Sequence, residues 1–220
     1  MRLQEANQKL FIEFDNWELF KQSALKYAKN IESGVLKAVI TRGSGGRGYG
    51  VDGVKGSSFI LYHSEKPSHY IDWFKAGITA GLSQHKLAKQ PLLAGLKHLN
   101  RLEQVLIRRE VELSPYDDLL VCDQDGILVE ASMANLFWLT KQGWRTPKLD
   151  NSGVNGVMRN QVKAFLNQGG SDLKEVSVLP DELRDANEVF VCNSVMGIVS
   201  INRLYLSKEE PPMSYEDFET

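Results

Sequence analysis

The chain reads as an α+β protein, and three observations say so. Helix-period segments and short strand-like runs follow one another in mixed order, without the steady strand–helix alternation of a doubly wound parallel sheet. Asp125-Gly126 stands between two strand-like runs and is a strong tight-hairpin signal. A glycine-dense stretch from Arg42 to Gly56 joins two further strand-like runs with no helix between them. At 220 residues, with 42% apolar and 25% charged residues, the chain is large enough to bury a core in one large domain or two small ones.

From the start, Met1 to Leu10 already has the pattern of a helix interior, with Leu3, Ala6 and Leu10 at helical spacing and no capping residue ahead of them. A frayed start and an absent front both fit this pattern. A second helix is expected over 15–30, with Asp15 as N-cap and Glu18 three places on. Strands are expected at 34–41 and 57–62, and 64–69 has linker character. Then come a strand at 78–82 and a helix over about 98–112, on which Leu99, Leu102, Val105 and Leu106 form an apolar stripe against Arg101, Arg108 and Arg109. Strands at 118–122, 127–130 and 135–139, a helix at 156–166 and strands at 188–192 and 197–201 complete the reading.

Several function classes fall away at this level. Lys and Arg number 26 against 28 Asp and Glu, a net charge of −2, so no basic excess is present to grip nucleic acid. No apolar run approaches the ~18–20 residues of a membrane span, and no signal-peptide core opens the chain. Cys122 and Cys192 lie far apart, which fits a reducing compartment and supports neither a disulfide scaffold nor a four-ligand zinc site.

The candidate chemistry lies in short segments, each with an ordinary reading beside it. Gly43-Ser44-Gly45-Gly46-Arg47-Gly48 matches a dinucleotide fingerprint, but the loop runs on into another strand. The helix N-terminus that would face a pyrophosphate is therefore missing. A flexible hairpin connection is the plain reading, and an anion site using Arg42 and Arg47 is the alternative. Lys97 sits in an apolar stretch ahead of a helix, either snorkelling to the surface or buried and able to act as a nucleophilic amine. Glu130 ends a strand, either exposed or paired with a cation inside. Asn155-Gly156-Val157-Met158-Arg159 opens a helix whose free N–H groups suit phosphate, though many such starts bind nothing. Cys192-Asn193-Ser194 ends a strand in a turn that also suits an anion. An amine, a carboxylate, a helix start and a polar strand end are together the parts that hold pyridoxal phosphate (PLP).

These segments also carry a resemblance. Glu130-Ala131-Ser132-Met133-Ala134-Asn135-Leu136-Phe137, then Thr146, then Val154-Asn155-Gly156-Val157-Met158-Arg159 is similar to the signature of the class-IV PLP-dependent aminotransferases. Trp144 departs from it, standing where an aliphatic residue or Phe is usual. The runs from Thr41 to Tyr49 and from Ala94 to Gln104 resemble the lyase branch of that family, which removes pyruvate from 4-amino-4-deoxychorismate to leave 4-aminobenzoate for folate synthesis.

The resemblance implies a two-domain fold type IV, with a partial N-terminal domain at 1–70 and a PLP-binding domain at 71–220. It implies Lys97 as the residue that joins the cofactor and moves protons, Glu130 on the pyridine nitrogen, and Arg101 near the ring hydroxyl. It places Val157, Met158, Asn193, Ser194 and Arg2 on the phosphate, and makes Arg47 and Arg42 candidates for the substrate carboxylates. No metal is implied. Relatives carry further strands ahead of the arginine matched by Arg2, so the N-terminal domain is expected to be truncated. A cytoplasmic homodimer with a small-molecule substrate is expected, with no nucleic-acid or membrane partner. Amino transfer on D- or branched-chain amino acids, or an inactive truncated relative, are the competing expectations.

Overall fold

The computed structural model describes residues 2–45, 47–54, 56–207 and 209–215, which form two units, one up to Pro67 and one from Ser68 onward. The first contains α1 (Arg2–Lys9), α2 (Trp17–Ala28), β1 (Val35–Thr41) and β2 (Ser58–Ser64). The two strands pair antiparallel, Val35 opposite Ser64 and Thr41 opposite Ser58. The glycine-rich stretch between them is therefore a hairpin connection. Phe14 is buried and meets Trp17, Phe20 and Phe59 edge-on, with ring centroids 4.9, 6.4 and 6.1 Å away. α2 starts after Asn16 rather than at Asp15, and no side chain caps it. The Asp15 carbonyl accepts the Trp17 N–H at 2.9 Å instead.

The second unit contains α3 (His69–Ala76), β3 (Ile78–Leu82), α4 (Leu102–Leu113), β4 (Asp118–Cys122), β5 (Leu128–Ala131), β6 (Asn135–Thr140) and β7 (Gly143–Pro147). It continues through α5 (Val157–Gln168), β8 (Leu173–Val176), a 3-10 turn (Pro180–Asp185), β9 (Glu188–Asn193), β10 (Gly197–Tyr205) and β11 (Met213–Ser214). Its strands lie in the order β5-β4-β3-β10-β9-β6-β7-β8, with β11 beside β10. The long β10 serves both halves, antiparallel to β9 over residues 197–200 and parallel to β3 from Ile201, with a register shift between Ile201 and Arg203. The Ala131 N–H donates to the Ala134 carbonyl at 2.8 Å, so the sheet curls and brings its β5 edge round to β6.

Period-two alternation explains why both faces are buried. Leu136, Trp138, Val189 and Val191 join one core cluster with Leu120, Leu128 and Ile201. Phe137, Phe190 and Cys192 point the other way and pack with Trp144, Val162 and Leu166 beneath α5. Phe137 and Phe190 stack at 5.1 Å, and Trp144, the departure from the family pattern, meets Phe190 at 5.4 Å. Each such side chain stabilises the fold by ~1.5–3 kcal/mol relative to exposure.

Four expectations change. The supposed linker at 64–69 ends where α3 begins, and Tyr70 and Trp73, one turn apart, pack on the core. α4 begins at Leu102 rather than near His98, and residues 96–101 ahead of it are neither helix nor strand. Its expected core stripe of Leu99, Leu102, Val105 and Leu106 is exposed, and Ile107 and Val111, four apart, are the buried pair. Strands β7, β8 and β11 were not expected. The Asp125-Gly126 turn is as expected, with Gly126 at φ +83°, where a side chain would be strained.

Candidate functional site

Within the second unit, three segments meet at the main chain of Val154. Gly95 bridges the loop ahead of α5, its N–H donating to the Gly153 carbonyl and its carbonyl accepting the Asn155 N–H, each at 3.0 Å. Lys97 follows two residues later. The Val154 N–H donates to Glu130 Oε2 at 2.9 Å, and Asn135 Nδ2 donates to the Val154 carbonyl at 2.7 Å. Glu130 lies on β5 and Asn135 opens β6, so the turn between these strands presents both side chains to one loop. The fit leaves no room for a side chain on the loop's glycines. A Cβ on Gly153 would lie 2.7 Å from Val129 Cγ1, and one on Gly156 would lie 2.3 Å from Asn135 Oδ1.

Glu130 is buried. Burial pushes its pKa up to about 7, against the pull of the Val154 N–H and of the charges on Arg101, Lys97 and Arg159. It is thus a carboxyl group able to hold or release a proton near neutrality. Of the two readings of Lys97, the structure selects the exposed one, with its amine close enough for its charge to act on Glu130. Arg101 turns back from the start of α4, with Nε donating to the His98 carbonyl at 3.3 Å and Nη2 to the Leu96 carbonyl. Burial lowers its pKa, while Glu130 and Glu103 act in the opposite sense.

α5 begins after Gly156 with no side-chain cap, so the N–H groups of its first turn, those of Val157 and Met158 among them, have no capping oxygen. That end of the helix suits an anion. The β6–β9 register sets Asn135 opposite Cys192, one residue before Asn193. Asn193 shapes the turn that follows. Its Oδ1 accepts the N–H groups of Val195 and Met196 at 2.8 and 2.9 Å, and its Nδ2 donates to the Met133 carbonyl at 3.3 Å. With its amide engaged in this way, the exposed Ser194 offers the hydroxyl at this strand end.

Three expected residues belong to the first unit. Arg2 is half-buried on α1, and Arg47 is exposed in the glycine-rich loop. Arg42 donates from both terminal nitrogens to the carbonyls of Leu10 and Phe11, so its guanidinium secures the chain after α1. That contact was not expected of a residue proposed for substrate carboxylates.

Sequence reading also passed over three residues that build the site. Asn135 and Val154 lie within the quoted signature but drew no role. Arg159 is buried on the face it shares with Val162 and Leu166, and a charge at that period was the available signal. Its guanidinium donates to Asn155 Oδ1 at 3.1 Å and to the Pro147 carbonyl and Glu175 Oε2 at 2.8 Å each. It thereby fixes the start of α5 against β7 and β8. A cavity of about 580 Å³ is walled by Leu87, Ala94, His98, Arg101, Gln104 and Gly153, and neither Lys97 nor Glu130 lines it. Among the described residues no group of three or more His, Cys, Asp or Glu is placed to hold a metal ion.

The family model for amino-transferase class IV matches residues 1–204. The chain is 36% identical over 201 residues to an aminodeoxychorismate lyase of Vibrio harveyi, covering 91% of this chain and 74% of that protein. The crystal structure of 4-amino-4-deoxychorismate lyase from Pseudomonas aeruginosa superimposes with a TM-score of 0.89 at 35% identity, over 98% of this chain and 78% of that one. A D-alanine aminotransferase of Bacillus licheniformis is 25% identical over 114 residues, 51% of this chain and 40% of that protein. The chain thus spans about three quarters of the lyases and less than half of this aminotransferase.

Proposed function

The chain belongs to the class-IV aminotransferase family, and from that premise we propose that it is a PLP-dependent carbon–oxygen lyase acting on 4-amino-4-deoxychorismate. In this reading the substrate loses the proton on its amine-bearing carbon, and the C–O bond to the enolpyruvyl group breaks. That group leaves and is protonated to pyruvate, and the ring becomes aromatic as 4-aminobenzoate. The observation that carries the reading is the convergence on Val154, which sets the Lys97 segment, Glu130 and the open end of α5 around one short piece of main chain.

The residues present fit the cofactor. Glu130 is a buried carboxyl group among cations, α5 has an uncapped N-terminus, and Gly156 is held bare by Asn135. When bound, PLP supplies an electron sink for the carbon that loses its proton. Lys97 would hold the cofactor through its amine, and that amine would take the proton from the substrate carbon. Glu130 keeps a proton on the ring nitrogen by hydrogen bonding to it. The N–H groups of Val157 and Met158, with Ser194 and the Asn193 turn, would hold the phosphate. Arg47 binds a substrate carboxylate, since its exposed guanidinium is suited to that contact where Arg42 is already engaged with carbonyls.

The same reading includes a cytoplasmic homodimer. The exposed stripe of Leu99, Leu102, Val105 and Leu106 is apolar surface of the kind a second copy covers, and light scattering showing a monomer would count against it. Among the described residues no helix is long and apolar enough to cross a membrane.

The test is to load the full chain with PLP, add 4-amino-4-deoxychorismate and measure both products. Pyruvate and 4-aminobenzoate should appear in equal amounts, and a loaded sample that yields neither overturns the reading. The likeness to a D-alanine aminotransferase favours amino transfer as the second reading. Conversion of the bound cofactor to its amine form by a D- or branched-chain amino acid, without elimination, would select it.

A further inference from the structure

Lys97 sits in a piece of chain that has little regular structure of its own. Between the bridge at Gly95 and the start of α4 at Leu102 there is neither helix nor strand. A lysine side chain has four rotatable bonds, so the position of its Nζ is only as well defined as the main chain beneath it. One guanidinium grips the main chain here at two carbonyls. Arg101 Nη2 donates to the Leu96 carbonyl and Arg101 Nε to the His98 carbonyl, so its planar fork grips the residue on either side of Lys97.

The positive charge of Arg101 also acts on Glu130, against the effect of burial. The side chain that grips the Lys97 segment thus also carries charge that acts on Glu130. Resting on the lyase reading above, we propose that Arg101 is a positioning residue, which clamps the Lys97 segment and presents its charge to Glu130 from the same place, rather than a contact to the cofactor ring. The remaining charged groups acting on Glu130 are Lys97 and Arg159, and Glu103 also acts on Arg101.

The two parts of the role separate in two variants. Arg101→Lys keeps the positive charge and loses the fork, whereas Arg101→Met loses both. Three readouts on the PLP-loaded full chain distinguish them: hydrogen–deuterium exchange over 95–101, the pH midpoint of the bound-cofactor absorbance, and kcat against KM for pyruvate release. Both variants should raise exchange in that segment about tenfold while exchange in the sheet stays as in the parent. Both should lower kcat about 30- to 100-fold with KM changed less than about threefold, the mark of a misplaced reactive group. Only Arg101→Met should also move the absorbance midpoint.

Unchanged exchange in Arg101→Lys overturns the clamp, because the fork is what that variant removes. Weaker PLP binding in both variants, with parental exchange and midpoint, overturns the proposal in favour of direct cofactor contact. If Arg101→Met does not fold, Arg101→Lys still decides the clamp through exchange. If the parent protein binds PLP yet releases no pyruvate, the lyase reading fails, and the exchange and absorbance measurements still judge Arg101.

Discussion

Two glycine-bearing loops in this chain look alike as sequence and differ as structure. The loop after β1 holds Gly43, Gly45, Gly48, Gly50, Gly53 and Gly56, and a Cβ added at Gly48, Gly50 or Gly53 meets nothing within 4 Å. Its glycines serve the chain's turning. The loop ahead of α5 has only Gly153 and Gly156, and both are pressed against side chains that leave no space for a Cβ. They serve close approach, and it is this loop that Glu130 and Asn135 hold by its main chain. Glycine density marks a pliable connection, whereas hydrogen bonds from buried polar side chains mark a built site.

The sharpest way to break this contrast is at the residues gathered by the second loop. Lys97→Ala removes the amine proposed to join the cofactor, and pyruvate release should fall by at least about a thousandfold, read by product assay. Glu130→Gln keeps an acceptor for the Val154 N–H but removes the carboxylate proposed to sustain the ring-nitrogen proton. Its kcat should fall about 100-fold or more, with PLP still bound by absorbance.

Gly156→Ala comes next, because the Cβ must displace Asn135 or the start of α5. It should cost about 1–3 kcal/mol in denaturant unfolding and weaken PLP binding. By contrast, Arg47→Ala in the first loop should leave the cofactor absorbance unchanged and raise KM only several-fold, as expected for a single exposed carboxylate contact.

The smallest effect is one of pH on stability. Burial raises the pKa of Glu130 in the folded chain above the ordinary carboxylate range, so the folded state keeps this proton to higher pH than the unfolded state does. Its contribution is full below the ordinary carboxylate pKa and is lost as pH rises to about 7. Without PLP, the melting temperature of the parent should therefore fall relative to that of Glu130→Gln across that window. A constant difference between the two would remove Glu130 as the titrating group. Glu175 works in the opposite sense, since Lys163 and Arg159 hold it below its usual value against the opposing effect of burial, and stability from it is lost only as pH falls.

Much of the fold was legible because it rests on local chemistry. The Asp125-Gly126 hairpin, the β1–β2 pair and strands β3, β4, β5, β6, β9 and β10 follow from turn residues and runs of apolar side chains. What failed was the partnering of faces. Leu99, Leu102, Val105 and Leu106 have core periodicity, yet Ile107 and Val111 are what α4 buries, and a period cannot say which of two apolar stripes meets the sheet. α3 was hidden because Pro67-Ser68 reads as a connection while Tyr70 and Trp73 just beyond it pack inward.

In the site, Lys97 and Glu130 stood out as chemical groups in unusual places. Asn135, Arg159 and the fork of Arg101 did not, since each acts through main-chain atoms of segments far away in sequence or through carbonyls that carry no sequence signal.

Lys97, whose charge acts on Glu130, is the proposed point of cofactor attachment. Borohydride reduction of the PLP-treated full chain, followed by peptide mass mapping, tests it directly. One pyridoxyl-phosphate adduct is expected, on Lys97, formed in proportion to the bound-cofactor absorbance. An adduct spread over surface lysines, or a stoichiometric adduct elsewhere with Lys97 unmodified, would contradict it.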